Sequence, residues 1–251
     1  MGLMRKDSFG VGDFVHVYNC GNRKASIVRD LVDQYRFLAC LRYYNDHDSG
    51  EFLMRAVFGQ REDRYQSPWK IDAFRDQGFV WPRKTEQKPI VNVISYVLME
   101  NHYHLVLQEI TQGGITEFMR KIGTGYTLYS NIRHNELGKV FQGSYKARLI
   151  STARYLQYID IYVQTLNPLD ALRAKKSINN FDLMFDAVVN DPFSGLGESL
   201  GIRNFEILNR KNFIQQSGLP ANIENYRNFA REAILEKGLK KFLGDLTLEK
   251  D

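Results

Sequence analysis

The chain has 251 residues, of which 43% are hydrophobic, 13% aromatic and 25% charged. This composition excludes collagen-like, coiled-coil and disordered chains and indicates a globular protein with a full apolar core. The 34 basic residues exceed the 29 acidic ones and give a net charge of +5, which permits an anionic partner without requiring one. Only Cys20 and Cys40 carry thiols, so neither a thiolate zinc cluster nor a disulfide scaffold is expected. With no apolar leader and no membrane-spanning run, the sequence predicts a cytoplasmic protein that does not engage a membrane.

The first half of the chain alternates strand and helix patterns. Residues 14–19 alternate apolar and polar side chains before a turn, which predicts a half-buried strand. Apolar residues at helical spacing predict an amphipathic helix over 29–44. Residues 60–88 are too polar to supply core and predict an insertion or mobile loop. Two β-branched, apolar segments at 90–99 and 102–108 then predict two adjacent strands.

The second half begins with a helix opened by Gly113-Gly114, followed by a strand at 145–150. Ser151 or Thr152 can cap the next helix, which we expect to end at Asn167 because Pro168 disfavours helical geometry in the residue before it. After about residue 172, the pattern changes to short helical pieces ending in a lysine-rich helix.

This order of elements predicts an α+β fold. We expect a ferredoxin-like (RRM-like) antiparallel sheet with helices packed on one face, plus a helical C-terminal extension. The predicted division is one domain over 1–172, carrying the polar insertion at about 60–88, and a helical accessory segment over 173–251.

The segment His102-Tyr103-His104 offers two imidazoles from one strand. Residues two apart in a strand project from the same face, so both rings can offer a nitrogen to one cation, while Tyr103 points the other way. Two surface histidines bonded to their neighbours would have the same spacing, so the spacing alone does not decide between these interpretations.

Three tyrosines, Tyr155, Tyr158 and Tyr162, lie on or beside one face of the helix predicted over 153–167. Amphipathic packing with exposed phenol tips explains such positions without any chemistry. A phenol is a poor phosphodiester nucleophile at neutral pH, so it needs a nearby cation to polarise the phosphate. The two histidines with a metal ion could supply that cation.

At four places the sequence resembles the HUH tyrosine transposases, including the REP-associated ones. MENHYHL at 99–105 resembles the MxNHxHL signature, FVHVYN at 14–19 the opening strand, FQGSYK at 141–146 the FQGxxK stretch, and YVQTLNP at 162–168 the YIHLNP helix end. The segments occur in the family's order and cover roughly residues 10–170, with a weaker tail match at 190–194.

The resemblance implies a metal-dependent, single-strand-specific DNA endonuclease and strand transferase that acts beside DNA hairpins. His102 and His104 would bind a divalent cation, Mg²⁺ or Mn²⁺, against the scissile phosphate. Tyr162 would attack that phosphate and form a 5′-phosphotyrosine intermediate, with Tyr158 as the reserve nucleophile. The resemblance allows either a monomer or a homodimer.

The third metal ligand departs from the family pattern. In the relatives, a polar residue one helical turn after the tyrosine completes the site, whereas here Leu166 stands four residues after Tyr162 and Asn167 one place later. We expect Asn167 to reach the site because its backbone leaves helical geometry before Pro168. Gln164 is the alternative ligand.

DNA binding is predicted for a basic stretch with interleaved aromatic residues between 113 and 150. Its candidate contacts are Arg120, Lys121, Gln142, Lys146 and Arg148, of which the last three lie in or beside the FQGSYK match. A solvated basic face with ordinary core aromatics is the simpler interpretation of each residue.

Two other functions fit the same sequence. The fold could bind single-stranded RNA or DNA without catalysis, as sheet-faced RNA-binding domains do by base stacking. It could also be a metal-dependent phosphodiesterase that uses water as the nucleophile, without a covalent intermediate.

Overall fold

The computed structural model describes residues 9–47, 88–176 and 180–235. Their strands are β1 (Phe14–Cys20), β2 (Val91–Leu98), β3 (His102–Glu109) and β4 (Lys146–Ile150). Neighbouring strands pair antiparallel in the order β2-β3-β1-β4. In the described part of the chain, a helix follows β1 and another lies between β3 and β4, so the predicted ferredoxin-like α+β arrangement is confirmed.

Eight α-helices are described in these ranges: α1 (Leu31–Tyr43), α2 (Gly114–His134), α3 (Ala153–Ile161), α4 (Asn167–Lys176), α5 (Phe181–Asn190), α6 (Leu196–Ser199), α7 (Lys211–Ser217) and α8 (Ile223–Leu235). A π-helical turn, Tyr162–Leu166, joins α3 directly to α4. In the described part of the chain, none of the helices combines the length and apolar character needed to cross a bilayer.

The first face of the sheet is the one that α1 and α2 cover. Val17 of β1 and Leu105 of β3 pack there in one buried cluster with Phe37 of α1 and Phe118 of α2. Gly125 allows this close packing, because a Cβ at that position would lie 2.1 Å from the Tyr44 hydroxyl oxygen. Glycine at this position therefore lets Tyr44 pack closely against α2, although glycine inside a helix stabilises it less than alanine does.

The second face of the sheet is covered by α3, α4 and the C-terminal helices. Ile94 of β2 and Val106 of β3 are buried there with Val188 of α5, Phe213 of α7 and Tyr226 of α8. The expectation that helices cover one face only is therefore wrong. The reason is visible in β2, where all eight residues are buried, as is usual for a strand covered on both sides.

The expected end of the helix at Asn167 is also wrong, because the chain continues as α4 through Lys176. Asn167 keeps right-handed helical dihedral angles, with φ −55° and ψ −53°. A proline leaves the carbonyl four residues earlier without its helical donor. Here that carbonyl belongs to Gln164 and accepts a hydrogen bond of 2.9 Å from Ser194 Oγ, so the helix passes Pro168 without an unsatisfied acceptor.

Two sequence predictions stay untested. The predicted insertion at 60–88 lies outside the described residues, apart from Lys88 at its end. The predicted domain boundary at 172 falls within α4 and remains a prediction, although the helices beyond it contribute to the core on the second face.

Candidate active site

The strand register places both predicted histidines on the second face. His102 is opposite Cys20 and His104 is opposite Tyr18 across the β1–β3 pair, and directly opposed side chains project from the same side of a sheet. Tyr103 projects the other way into the first-face core, as the alternation predicts. The two imidazole centroids are 5.3 Å apart and their planes are nearly perpendicular. His102 is half-buried, whereas His104 is fully buried.

A third histidine completes this group, and sequence reasoning missed it. His16 Nε2 lies 2.9 Å from His104 Nδ1, and both side chains are buried. Separately, His102 Nδ1 lies 2.7 Å from Asn101 Oδ1. The alternation in β1 puts His16 on the same face as Phe14 and Tyr18, which is the signal that could have identified it.

Burial determines the charge of these rings. It lowers the pKa of His16 from 6.5 to about 3, and it lowers the pKa of His102 below its ordinary value. Burial, followed by the neighbouring His16 and His102 rings, holds the pKa of His104 well below 6.5. The three imidazoles are therefore neutral near pH 7, which is the form that binds a metal ion.

Tyr162 brings its ring against the two buried histidines. Its centroid is 5.4 Å from that of His104 and 6.3 Å from that of His16, with the planes nearly perpendicular in both cases. The hydroxyl of Tyr158, one turn earlier, accepts hydrogen bonds from Arg154 Nε at 3.2 Å and Nη2 at 3.0 Å. These contacts favour Tyr162 over Tyr158 as the tyrosine that acts with the histidines.

The π-helical turn accounts for the irregular spacing after Tyr162. The Asn167 N–H donates to the Tyr162 carbonyl, five residues earlier, so one wide turn accommodates the extra residue. Asn167 therefore follows Tyr162 by one helical turn. Its Nδ2 is buried and has no hydrogen-bond partner in the part of the chain that the structure describes, which marks an amide with an unmet interaction.

Gln164, the alternative ligand, points elsewhere. Its Nε2 donates to Asp160 Oδ1 at 2.8 Å, and its buried Oε1 faces the backbone at Gly195, where a Cβ would lie 2.8 Å away. The start of α4 lies beside the turn before His102: Pro168 lines a cavity of about 500 Å³ together with Met99. The Gln164 amide is therefore engaged by Asp160, and Asn167 remains the candidate third ligand.

The donor set fits a divalent metal ion with two protein imidazoles. Among the described residues, no three or more His, Cys, Asp and Glu side chains are arranged to hold a metal ion. His102 and His104 would hold the ion, an amide oxygen of Asn167 could be the third ligand, and oxygen atoms of water or substrate would complete the coordination. Mg²⁺ and Mn²⁺ commonly retain such oxygen ligands.

Two predicted DNA contacts line this site from β4. Arg148 is opposite His16 and Lys146 is opposite Tyr18, so both project from the second face, on an edge strand. Gln142 lies nearby, where its Oε1 accepts from Cys20 Sγ at 3.0 Å. Gln142 and Lys146 line a second cavity of about 500 Å³, whose wall includes His102.

The other two predicted DNA contacts lie on the opposite side of the sheet. Arg120 and Lys121 belong to α2, which packs on the first face. Lys121 Nζ forms an ion pair of 2.9 Å with Glu117 and donates to the Asp46 carbonyl at 2.7 Å. The structure does not bring these two residues together with the histidines.

A buried carboxylate holds the tyrosine helix in place, and sequence reasoning missed it as well. Asp160 Oδ1 accepts from Ser95 Oγ, from Gln164 Nε2 and, at 2.7 Å, from Arg210 Nη1. Tyr226 donates to its Oδ2 at 3.1 Å. Asp160 is the residue two before Tyr162, so this network links β2 and the C-terminal helices to the helix that carries the phenol.

Comparison with known proteins finds a similarity over the middle of the chain. Residues 76–165, which contain both histidines and Tyr162, match the family model for IS200-like transposases. A solved structure, described as a REP-associated tyrosine transposase bound to a REP hairpin, is 15% identical over 80% of this chain and 86% of that chain, with a TM-score of 0.44. Among curated proteins, no match is found. The segment that carries His102, His104 and Tyr162 is therefore similar to the IS200-like transposases.

Proposed function

We propose that the protein is a metal-dependent endonuclease and strand transferase that cuts single-stranded DNA beside a hairpin. The observation that carries the proposal is the ring of Tyr162, 5.4 Å from the ring of His104 in the same chain. The cut strand would remain attached to the protein as a 5′-phosphotyrosine. REP-hairpin binding by the structurally similar transposase agrees with a hairpin substrate, although the proposal does not depend on it.

In the proposed reaction, Tyr162 Oη forms a bond to the scissile phosphorus as the bond to the 3′ oxygen breaks. The phenol loses its proton, and the leaving oxygen takes one up to become a free 3′-hydroxyl. A 3′-hydroxyl later attacks the phosphotyrosine in the reverse sense, so the number of phosphoester bonds is conserved and rejoining needs no external energy. A bound divalent cation would supply Lewis-acid polarisation of the phosphate.

The protein's own groups would orient this reaction. Two neutral imidazoles project side by side from β3, and the perpendicular Tyr162 ring is held against them by buried packing. Fixing nucleophile and phosphate in one geometry removes much of the entropic barrier to the attack. Asn167, one wide turn after the phenol, would contribute its amide to the same place.

The DNA strand would approach along β4. Lys146 and Arg148 project from this edge on the histidine side, where their charges can neutralise backbone phosphates. The cavity lined by His102, Gln142 and Lys146 is large enough for a nucleotide next to the scissile phosphate. Arg120 and Lys121, on the first face, would contact only DNA that extends around the domain.

Covalent trapping tests the proposal. Hairpin oligonucleotides with single-stranded flanks are incubated with the protein and Mn²⁺, and the mixture is separated on a denaturing gel. We expect a DNA–protein adduct in the wild type and in Tyr158→Phe, but at least about 100-fold less adduct in Tyr162→Phe and His102→Ala, because these remove the nucleophile and a metal ligand.

The matched pair of tyrosine variants separates the alternatives. An adduct that persists in Tyr162→Phe but disappears in Tyr158→Phe would assign the nucleophile to Tyr158. Cleavage without any adduct would indicate a phosphodiesterase that uses water. Binding without cleavage, unaffected by His102→Ala or by chelation of metal ions, would indicate a non-catalytic single-strand-binding domain.

A further inference from the structure

The contact between His16 and His104 is a hydrogen bond between two neutral imidazoles. The Nε2···Nδ1 distance is 2.9 Å and the planes differ by 13°. The 5.1 Å between the ring centroids is what two rings joined end to end by such a bond require. The bond therefore lies near the plane of both rings, which is the favourable geometry for a lone pair on a ring nitrogen.

Between two neutral rings, only one partner can donate. If His16 donates from Nε2, then His104 accepts at Nδ1 and carries its own proton on Nε2, which leaves no lone pair for a cation. If His104 donates from Nδ1, its Nε2 is free to bind a cation and His16 accepts. The choice of donor thus decides whether His104 can be a metal ligand.

The environment of His16 is buried and mostly aromatic. Its side chain is completely buried, and its Nδ1 has no hydrogen-bond partner among the described residues. The rings around it are Tyr18, nearly parallel at 5.1 Å, the edge of Tyr162 at 6.3 Å, and His104. Because its Nε2 bonds to His104, the polar contact of His16 with the site runs through that ring.

We propose that His16 is a positioning residue that accepts the Nδ1–H of His104 and so holds the His104 Nε2 lone pair toward the cation and Tyr162. This inference rests on the proposed function, because it assigns His104 as a metal ligand. It explains why a third, fully buried histidine lies behind the His102–His104 pair. Outer-sphere partners of metal-bound histidines fix ring orientation in this way in other metal sites.

Metal affinity tests the inference without measuring activity. Mn²⁺ binding is measured by titration calorimetry for the wild type, His16→Leu, His16→Gln and His104→Ala, with thermal unfolding as the check of folding. We expect His16→Leu to weaken Mn²⁺ binding by about 10–100-fold. His16→Gln should recover most of the affinity, because its Oε1 can accept where Nε2 did. A folded His16→Leu variant with wild-type affinity overturns the inference.

A second, independent measurement identifies which ring nitrogen of His104 carries the proton. Long-range ¹H–¹⁵N spectra of the wild type saturated with Mg²⁺ should show His104 protonated on Nδ1; protonation on Nε2 would overturn the inference even if His16→Leu fails to fold. Failure of the wild type to bind Mn²⁺, or full Mn²⁺ affinity in His104→Ala, would instead overturn the metal site of the proposed function, and this inference with it.

Discussion

At the scale of single residues, burial keeps three histidines uncharged beside a phenol. His16 and His104 are each at most 1% exposed, and no carboxylate is among the causes of their pKa shifts, which desolvation dominates. A buried imidazolium without a counter-charge is costly, so the folded state excludes the protonated form. The same burial makes the fold sensitive to acid.

The free energy of unfolding should therefore fall as the pH is lowered from 7 to 5. A histidine with an unfolded-state pKa near 6.5 and a folded pKa near 3 binds more protons in the unfolded state throughout this range. Each such histidine contributes a slope of at most about 1.4 kcal/mol per pH unit. Urea unfolding in metal-free buffer at pH 7, 6 and 5 measures the total slope.

His16→Gln should reduce this slope, since it removes one buried titrating ring. The same change at His47, which is an exposed residue, is the matched control for the substitution itself. Equal slopes in the wild type and His16→Gln would show that His16 does not resist protonation in the folded protein.

At the scale of secondary structure, the position of α3 depends on elements far away in sequence. Asp160 receives donors from β2, from its own helix and from the loop and helix that carry Arg210 and Tyr226. The Arg210–Asp160 ion pair is almost completely buried, with side chains 9% and 0% exposed. Removing one partner of such a pair leaves a buried charge without compensation.

Arg210→Met should destabilise the protein by about 3–5 kcal/mol. The matched control is Arg173→Met, which breaks the pair of Arg173 with Asp170 on α4, where both side chains are about 40% exposed. That surface change should cost at most about 1 kcal/mol. Chemical unfolding of both variants measures the difference, and equal losses would mean that the Asp160 network does not hold α3.

At the scale of the whole molecule, one chain supplies the complete candidate site. The histidines come from β1 and β3 and the phenol from the end of α3, and all pack in one core on the second face. This arrangement does not require a second copy to lend its tyrosine helix, whichever oligomeric state the protein adopts.

Mixing two inactive variants tests this arrangement. His102→Ala lacks a proposed metal ligand and Tyr162→Phe lacks the proposed nucleophile, so a mixture regains activity only if sites combine residues from different chains. We expect the mixture to form no more DNA adduct than either variant alone. If dimers exchanged their tyrosine helices, random pairing would make half of the dimers mixed, and one of the two sites in each mixed dimer would be intact. Recovery of adduct toward about a quarter of the wild-type amount would therefore contradict a site built within one chain.

The strands of the sheet could be predicted from the sequence more accurately than the helices that pack on its second face. Alternation and apolar runs located the four described strands to within about one residue at most ends, and the spacing of His102 and His104 placed them on one face. Covering of the second face could not be predicted, because short helices broken by Gly and Pro carry weak periodicity. His16 and Asp160 were missed because their structural roles depend on hydrogen bonds to residues 88 and 50 positions away in the chain.

The wide turn at Tyr162–Leu166 shows how this helix can accommodate an added residue after Tyr162. A single insertion in an α-helix rotates everything downstream by about 100°. Here the π-turn absorbs the added residue, because the Asn167 N–H donates to the Tyr162 carbonyl five residues earlier and the helix continues beyond it. A search pattern that fixes this separation will pass over relatives whose catalytic geometry is intact, whereas one that allows four or five positions will retain them.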